Sequence, residues 1–217
     1  GDNDTYPLWY AQNVEGIRKD VRIINQSLLP TDWYSQVLLT KVYDSEPLPL
    51  TLTKNQLAAG MNDYFNFMDA KDYTPRLLST FIHDLVNSKQ TTYGYRKFRV
   101  PVDREAVLKS GVVSIKDSAE IVKDILIDFP SRNLNKGDLV LLDLIATNAA
   151  TGWKRPICFS TTSGDDGFLG MQAYFERKGL VYQLVPVKSN VQGGNVSRIN
   201  LDNMYDMLMN KFRYSGI

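Results

Sequence analysis

The chain has 217 residues, 43% of them apolar and 23% charged, with a formal net charge of +1, the make-up of an ordinary globular protein long enough for one good-sized core. The near-neutral balance argues against a nucleic-acid binder, which needs a basic face; the local clusters Arg96-Lys97-Phe98-Arg99 and Lys154-Arg155 read as solvated surface. One cysteine, Cys158, excludes an internal disulfide and a multi-cysteine metal site, and the longest apolar run, Leu139 to Ala146, is broken by Asp143 and far shorter than the roughly 20 residues that span a bilayer.

In chain order, Gly1-Asp2-Asn3-Asp4 reads as an acidic loop of the kind that follows a strand in α/β proteins. No strand precedes it, so the chain reads as a piece of a longer protein. Pro7 to Glu15 predicts a first helix, capped by Asp4 or Thr5 and stopped at Gly16. Val21 to Asn25 is β-branched and alternating, a strand; Trp33 to Thr40 is a second helix with Thr31 or Asp32 as its cap. A proline-punctuated connection follows at Ser45 to Leu50, with a helix start at Gln56. Asn62 to Phe67 reads as a helix continuation or a loop. Leu77, Leu78, Phe81, Ile82 and Leu85 recur at helical spacing over Arg76 to Val86, and Arg96 to Val102 and Val112 to Ile115 read as short strands.

Asp117 and Glu120 have the spacing of a capping box, which predicts a helix from Lys116 to Phe129. Leu139 to Thr147 reads as a buried helix or a strand, with a strand favoured for Leu139 to Leu144 because Lys136-Gly137-Asp138 is a turn and the run is short. Arg155 to Ser160 is a strand, Thr161 to Gly167 a loop, Leu169 to Lys178 a helix ended by Gly179, and Val181 to Val187 a strand. Asn190 to Asn195 is a Gly/Asn-rich loop, and Asp202 to Phe212 a Met-rich terminal helix. These elements add up to a single α/β domain, residues 1–217. Its expected architecture is three-layer and Rossmann-like, with a mostly parallel sheet and an irregular insertion at about 45–115.

Two loops share one pattern: Gly1 to Asp4 and Gly164-Asp165-Asp166-Gly167 each precede a predicted helix. On one edge of a parallel sheet their carboxylates would converge on sugar hydroxyls or a divalent cation; as ordinary helix caps they would bind nothing. Trp9 and Trp33 lie beside these loops, either as platforms for a sugar ring or as core residues. The candidate ligand-binding residues are therefore Asp2, Asn3, Asp4, Trp9, Asn25, Asp32, Trp33, Asp165 and Asp166. No catalytic residue, metal ligand or cofactor motif is identified. His83, the only histidine, sits among apolar neighbours and reads as a partly buried structural residue; Cys158 reads as a core thiol.

The opening Gly1 to Tyr10, then Val14-Glu15-Gly16-Ile17-Arg18, Asp20-Val21-Arg22, Ser27-Leu28-Leu29 and Asp32-Trp33-Tyr34, together with Trp153 to Ile157 and Gly179 to Pro186, resemble the soluble C-terminal region of a Bacteroidetes family of multispanning membrane proteins related to protein O-mannosyltransferases. The resemblance implies a missing N-terminal transmembrane part that carries the catalytic acid, and a position for this region at the periplasmic face of the inner membrane. The expected function is an accessory domain that recognises an acceptor protein or a glycan, with the transmembrane part as its partner. The alternatives are a structural or assembly module without ligand, and a metal-assisted α/β enzyme built on the acidic loops. Asp117-Ser118-Ala119 also matches the Asp-Ser/Thr-apolar pattern associated with O-glycosylation in Bacteroidetes, although the capping box accounts for the same residues.

Overall fold

The computed structural model describes residues 2–88, 92–129, 133–163, 165–189 and 198–211. In chain order they form α1 (Asp2–Asn13), α2 (Asp32–Val37), β1 (Tyr64–Asp72), β2 (Arg76–Leu77), α3 (Leu78–Asn87), β3 (Thr92–Tyr95), β4 (Lys97–Pro101), α4 (Arg104–Ser110), β5 (Asp124–Asp128), β6 (Leu134–Asn135) and α5 (Lys136–Ala150). Then come β7 (Cys158–Ser160), β8 (Phe175–Lys178), β9 (Val181–Leu184), β10 (Arg198–Ile199) and α6 (Leu201–Asp206), which continues into a π turn at Met207–Lys211. Short 3-10 turns cover Ile115–Glu120, Asp165–Phe168 and Gln172–Tyr174.

The fold is mixed α/β, but the expected mostly parallel, Rossmann-like sheet is not formed. The described strands make three small sheets, ordered β3-β1-β6, β2-β4-β5 and β10-β8-β9-β7. Each mixes parallel and antiparallel pairs: β1/β3, β2/β4 and β8/β10 run parallel, whereas β1/β6, β4/β5, β7/β9 and β8/β9 run antiparallel. Of these antiparallel pairs only β8/β9 is a hairpin, closed at Gly179 and Leu180.

Several elements differ from their predicted type, for physical reasons. Leu139 to Leu144 is not a strand but the middle of α5. Asn135 and Asp138 form a reciprocal cap, Asn135 Oδ1 accepting the Asp138 N–H at 3.1 Å and Asp138 Oδ2 accepting the Asn135 N–H at 2.9 Å. The helix is buried almost all round, so its sequence shows no amphipathic stripe to distinguish it from a core strand. Gly137 lets its first turn close on the neighbouring loop: a Cβ there would stand 3.0 Å from Leu29 Cβ and Pro30 Cδ.

The Asp117–Glu120 capping box does not form either. Asp117 pairs with Arg198 at 3.1 Å and Glu120 with the same guanidinium at 2.5 Å, while Arg198 Nε reaches buried Glu176 at 3.0 Å. With its cap groups spent on a distant strand, the predicted helix shrinks to the 3-10 turn at Ile115–Glu120. The alternating Ile125 and Ile127 then bury as β5, opposite Val100 and Phe98 of β4. Val112 to Ile115 is not a strand. Leu169 to Lys178 is not a helix but a tight turn leading into β8, which pairs with β9 around Gly179 and Leu180. Val21 to Asn25 has no strand partner and runs as an extended loop. Asn62 to Phe67 enters β1 instead of a helix or loop.

Two aromatic clusters mark the core. Phe67, Phe81, Tyr93, Phe98 and Phe129 pack around the middle sheets, with Phe81–Phe98 and Phe98–Phe129 centroids each 4.4 Å apart. Phe159, Phe168 and Phe175 pack in the last sheet, Phe168 and Phe175 at 4.7 Å. α5 contributes Leu139, Val140, Leu142 and Ile145 to the same continuous core.

Candidate functional site

The site is built by pinning α1 over α5 and β7. Gln12, buried on α1, donates from Nε2 to the carbonyls of Arg18 and Val21 at 2.8 Å each, holding the 17–24 loop beneath the helix. At the other end of α1, Asp4 Oδ2 accepts from Ser160 Oγ at 3.1 Å and from Thr162 Oγ1. Ser160 ends β7, so the first helix is clamped to the loop that follows that strand. Farther along, Gln26 Nε2 donates to the Gly167 carbonyl at 3.2 Å.

Between these clamps lies a cleft of about 420 Å³. Leu8, Ala11, Ile17, Ile24, Val140 and Ile157 give it apolar walls, and Asp4, Gln26, Ser160 and Ser163 a polar rim. It opens toward a second hollow of about 280 Å³ and shares Arg22, Leu144 and Cys158 with it. An apolar concavity with a few convergent polar groups is the usual form of a binding site.

The Thr162 hydroxyl holds the Asp4 carboxyl below its ordinary value; burial opposes it, and Ser160 adds to the lowering. A depressed carboxyl stabilises the native state above the unfolded value, and that contribution is lost as pH falls through the folded one. Asp4→Ala is expected to release the clamp: amide hydrogen exchange across α1 should rise while that of α5 stays unchanged. Equal protection of α1 in both proteins would mean that the clamp holds nothing.

A family model described as TMEM260-associated domain 2 matches residues 1–203. The chain belongs to the TMEM260-associated domain 2 family. TMEM260 is a membrane protein related to protein O-mannosyltransferases, which agrees with the link read from the opening motif. No curated protein and no solved structure matches the chain. Among the described residues no helix of this TMEM260-associated domain is long and apolar enough to cross a membrane.

The structure divides the nine predicted site residues of the domain. Asp4 stands on the cleft rim. Asp2 and Asn3 lie in the first turn of α1 rather than in a loop; Asn3 is exposed, and the Asp2 side chain lies outside the described residues. Asp165 and Asp166 begin the 3-10 turn at Asp165–Phe168, and their side chains are also outside the described residues. The loop that carries them nonetheless reaches the cleft through Gln26 and Gly167, so the two acidic segments come to one region, held by hydrogen bonds of Asp4 and Gln26.

Trp9 is half-buried against the core and edge-on to Tyr6 at 5.8 Å. Asn25 is structural: buried, its N–H donates to the Tyr34 hydroxyl at 2.8 Å, and its Oδ1 accepts the Ser27 N–H at 2.9 Å. Asp32 opens α2. Trp33 is not a core residue; it stands exposed on α2, edge-on to Tyr34 at 5.4 Å. None of Trp9, Asn25, Asp32 and Trp33 lines the cleft. Among the described residues no group of three or more His, Cys, Asp or Glu side chains is arranged to hold a metal ion.

Two further readings change. His83 is not buried: its imidazole is exposed on α3, 3.3 Å from Asp84. Cys158 is not a core thiol either. It has surface open to both hollows, yet the surrounding protein desolvates the sulfur and pushes its pKa up, with Lys178 opposing, which favours the protonated thiol. The cleft walls were missed because Leu8 and Ala11 share their face of α1 with the polar Asp4, Thr5 and Gln12, which leaves that face without an apolar stripe. Asp4 is the predicted site residue that lies on the rim.

Proposed function

We propose that the chain is the extracytoplasmic accessory domain of a membrane glycosyltransferase-like protein and that the cleft beneath α1 recognises the acceptor polypeptide. In this reading the domain sits at the periplasmic face of a Bacteroidetes inner membrane, and the transmembrane part of the same protein is its partner and carries the chemistry. The observation that carries the reading is the cleft of about 420 Å³, apolar in its walls and lined at its rim by Asp4, Ser160 and Ser163, in a domain of this family. Aliphatic side chains of an extended segment suit the walls. Its backbone N–H and C=O groups suit a carboxylate and hydroxyls. A glycan fits less well, since sugar rings stack on open aromatic faces. Among the described lining residues the only aromatic is Phe159, which is buried.

The test is NMR titration of the domain with extended peptides bearing aliphatic side chains, and in parallel with a panel of sugars. Peptides are expected to shift resonances of α1 and β7. Leu8→Asp and Ala11→Phe, at the cleft wall, should weaken that binding at least tenfold; Leu8 is half exposed, so the first should leave the melting temperature within about 2 °C. Undiminished peptide binding in both variants, or saturable binding of sugars and not peptides, would overturn the acceptor reading.

A further inference from the structure

The second hollow, of about 280 Å³, is lined by Arg18, Arg22, Lys154 and Arg155 but by one carboxylate, Asp20. Asp20 is already engaged with Arg18 at 2.9 Å. Among the described residues neither Arg22 nor Arg155 has an ion-pair partner. Their heads instead converge on one neutral acceptor: Arg155 donates from both Nη atoms to the Glu46 carbonyl at 3.1 Å, and Arg22 Nη2 reaches the same oxygen at 3.4 Å. The Glu46 carboxylate itself turns to Lys41 at 2.6 Å. Two guanidinium groups thus share a carbonyl with no anion between them. Burial, and after it repulsion by Arg155, lowers the Arg22 pKa from its ordinary value.

A second observation lies beside the same hollow. Asn148, on the last turn of α5, is 2% exposed, and its Nδ2 has no hydrogen-bond partner. Its orientation is set, because Oδ1 accepts the Arg155 backbone N–H at 3.2 Å, so the amino end is the free one. Arg22 Nε is likewise buried and without an acceptor. Buried donors in native proteins are almost always satisfied, so a set left open beside two unpaired cations marks a missing acceptor that carries negative charge.

We infer that this hollow binds a phosphate group, held by Arg22, Arg155 and Asn148. A water would satisfy the amide but would leave Arg22 without a counter-charge and Arg155 with only the more distant Glu46 carboxylate, which is bonded to Lys41. A planar carboxylate is matched by a two-toothed guanidinium fork. Arg22 offers no such fork, since its Nη atoms are committed to the carbonyls of Val37, Thr40, Ser45 and Glu46. A tetrahedral anion takes single donors from separate elements, which is what remains here. This inference does not rest on the peptide cleft, although Arg22 lines both hollows.

Calorimetric titration of the domain with inorganic phosphate, against sodium chloride at matched ionic strength, tests it. Saturable phosphate binding in the millimolar range or tighter is expected. Arg155→Gln should weaken it at least tenfold, and Asn148→Asp, which places a carboxylate where the anion would sit, should abolish it. If Asn148→Asp does not fold, Arg155→Gln, at a half-buried surface position, still decides. Vesicles of phosphatidic acid in phosphatidylcholine distinguish the source: co-sedimentation that free phosphate displaces assigns a lipid headgroup, and phosphate binding without co-sedimentation assigns a soluble phosphate ester. No heat beyond the chloride control, or equal phosphate binding by wild type and both variants, overturns the site.

Discussion

Gly170→Ala is expected to destabilise the domain by more than about 3 kcal/mol, lowering the melting temperature by roughly 6–12 °C or preventing folding. Gly170 has φ +80, and a Cβ there would lie 2.0 Å from the Asp128 carbonyl oxygen and 2.9 Å from its carbon. These are backbone atoms at the end of β5, so no rotamer change relieves the contact. The turn must lift from the sheet. Leu169 and Met171 would leave the core with it, and the Leu126 N–H would lose its bond to the Tyr174 hydroxyl at 3.0 Å. Gly111→Ala is the control. Gly111 ends α4 at φ +73, but its Cβ would meet nothing within 4 Å, so only the left-handed backbone cost of about 1 kcal/mol applies. Thermal unfolding of both variants decides the matter: equal losses would show that the approach to Asp128 is not tight.

Asp143→Ala is expected to cost about 3 kcal/mol. Asp143 is 1% exposed on α5 and accepts three bonds: the Thr51 N–H at 2.7 Å, the Thr51 hydroxyl at 2.6 Å and the Leu52 N–H at 3.2 Å. Alanine would strand these donors and free the 48–57 loop, whose Leu48, Leu52 and Leu57 are buried.

The pH dependence carries a sign that identifies the cause. Burial pushes the Asp143 carboxyl above its ordinary value, outweighing the lowering effect of the bonds from Thr51 and Leu52. Between the unfolded value, about 3.9, and the raised native one, the native state binds the extra proton, so stability falls as pH rises. Asp143→Asn does not titrate. The melting temperature of the wild type minus that of Asp143→Asn should therefore decrease as pH rises from about 4, and level off above the native value. A difference that grows over that range would mean the hydrogen bonds, and not desolvation, set this carboxyl.

Some of this was present in the sequence alone. The helical recurrence of Phe81, Ile82 and Leu85 gave α3, and the apolar pattern around Phe98 and Val100 gave β4, because periodicity over one or two turns reports directly which face will be buried. The opening motif pointed to the link with protein O-mannosyltransferase-related membrane proteins, and its Asp4 lies on the cleft rim.

The rest needed the folded chain. Leu139 to Leu144 is apolar apart from Asp143 and is buried all round, so only its surroundings and the Asn135–Asp138 cap make it a helix. Asp117 and Glu120 had the right spacing for a cap, but Arg198, far along the chain, outbid the backbone for their charge. The cleft and the Arg22–Arg155–Asn148 cluster join residues from three separate stretches, none informative by itself. Local preferences differ by fractions of a kcal/mol per residue, whereas burying an apolar side chain in the core is worth roughly 1.5–3 kcal/mol, so wherever the two disagreed the tertiary contacts prevailed.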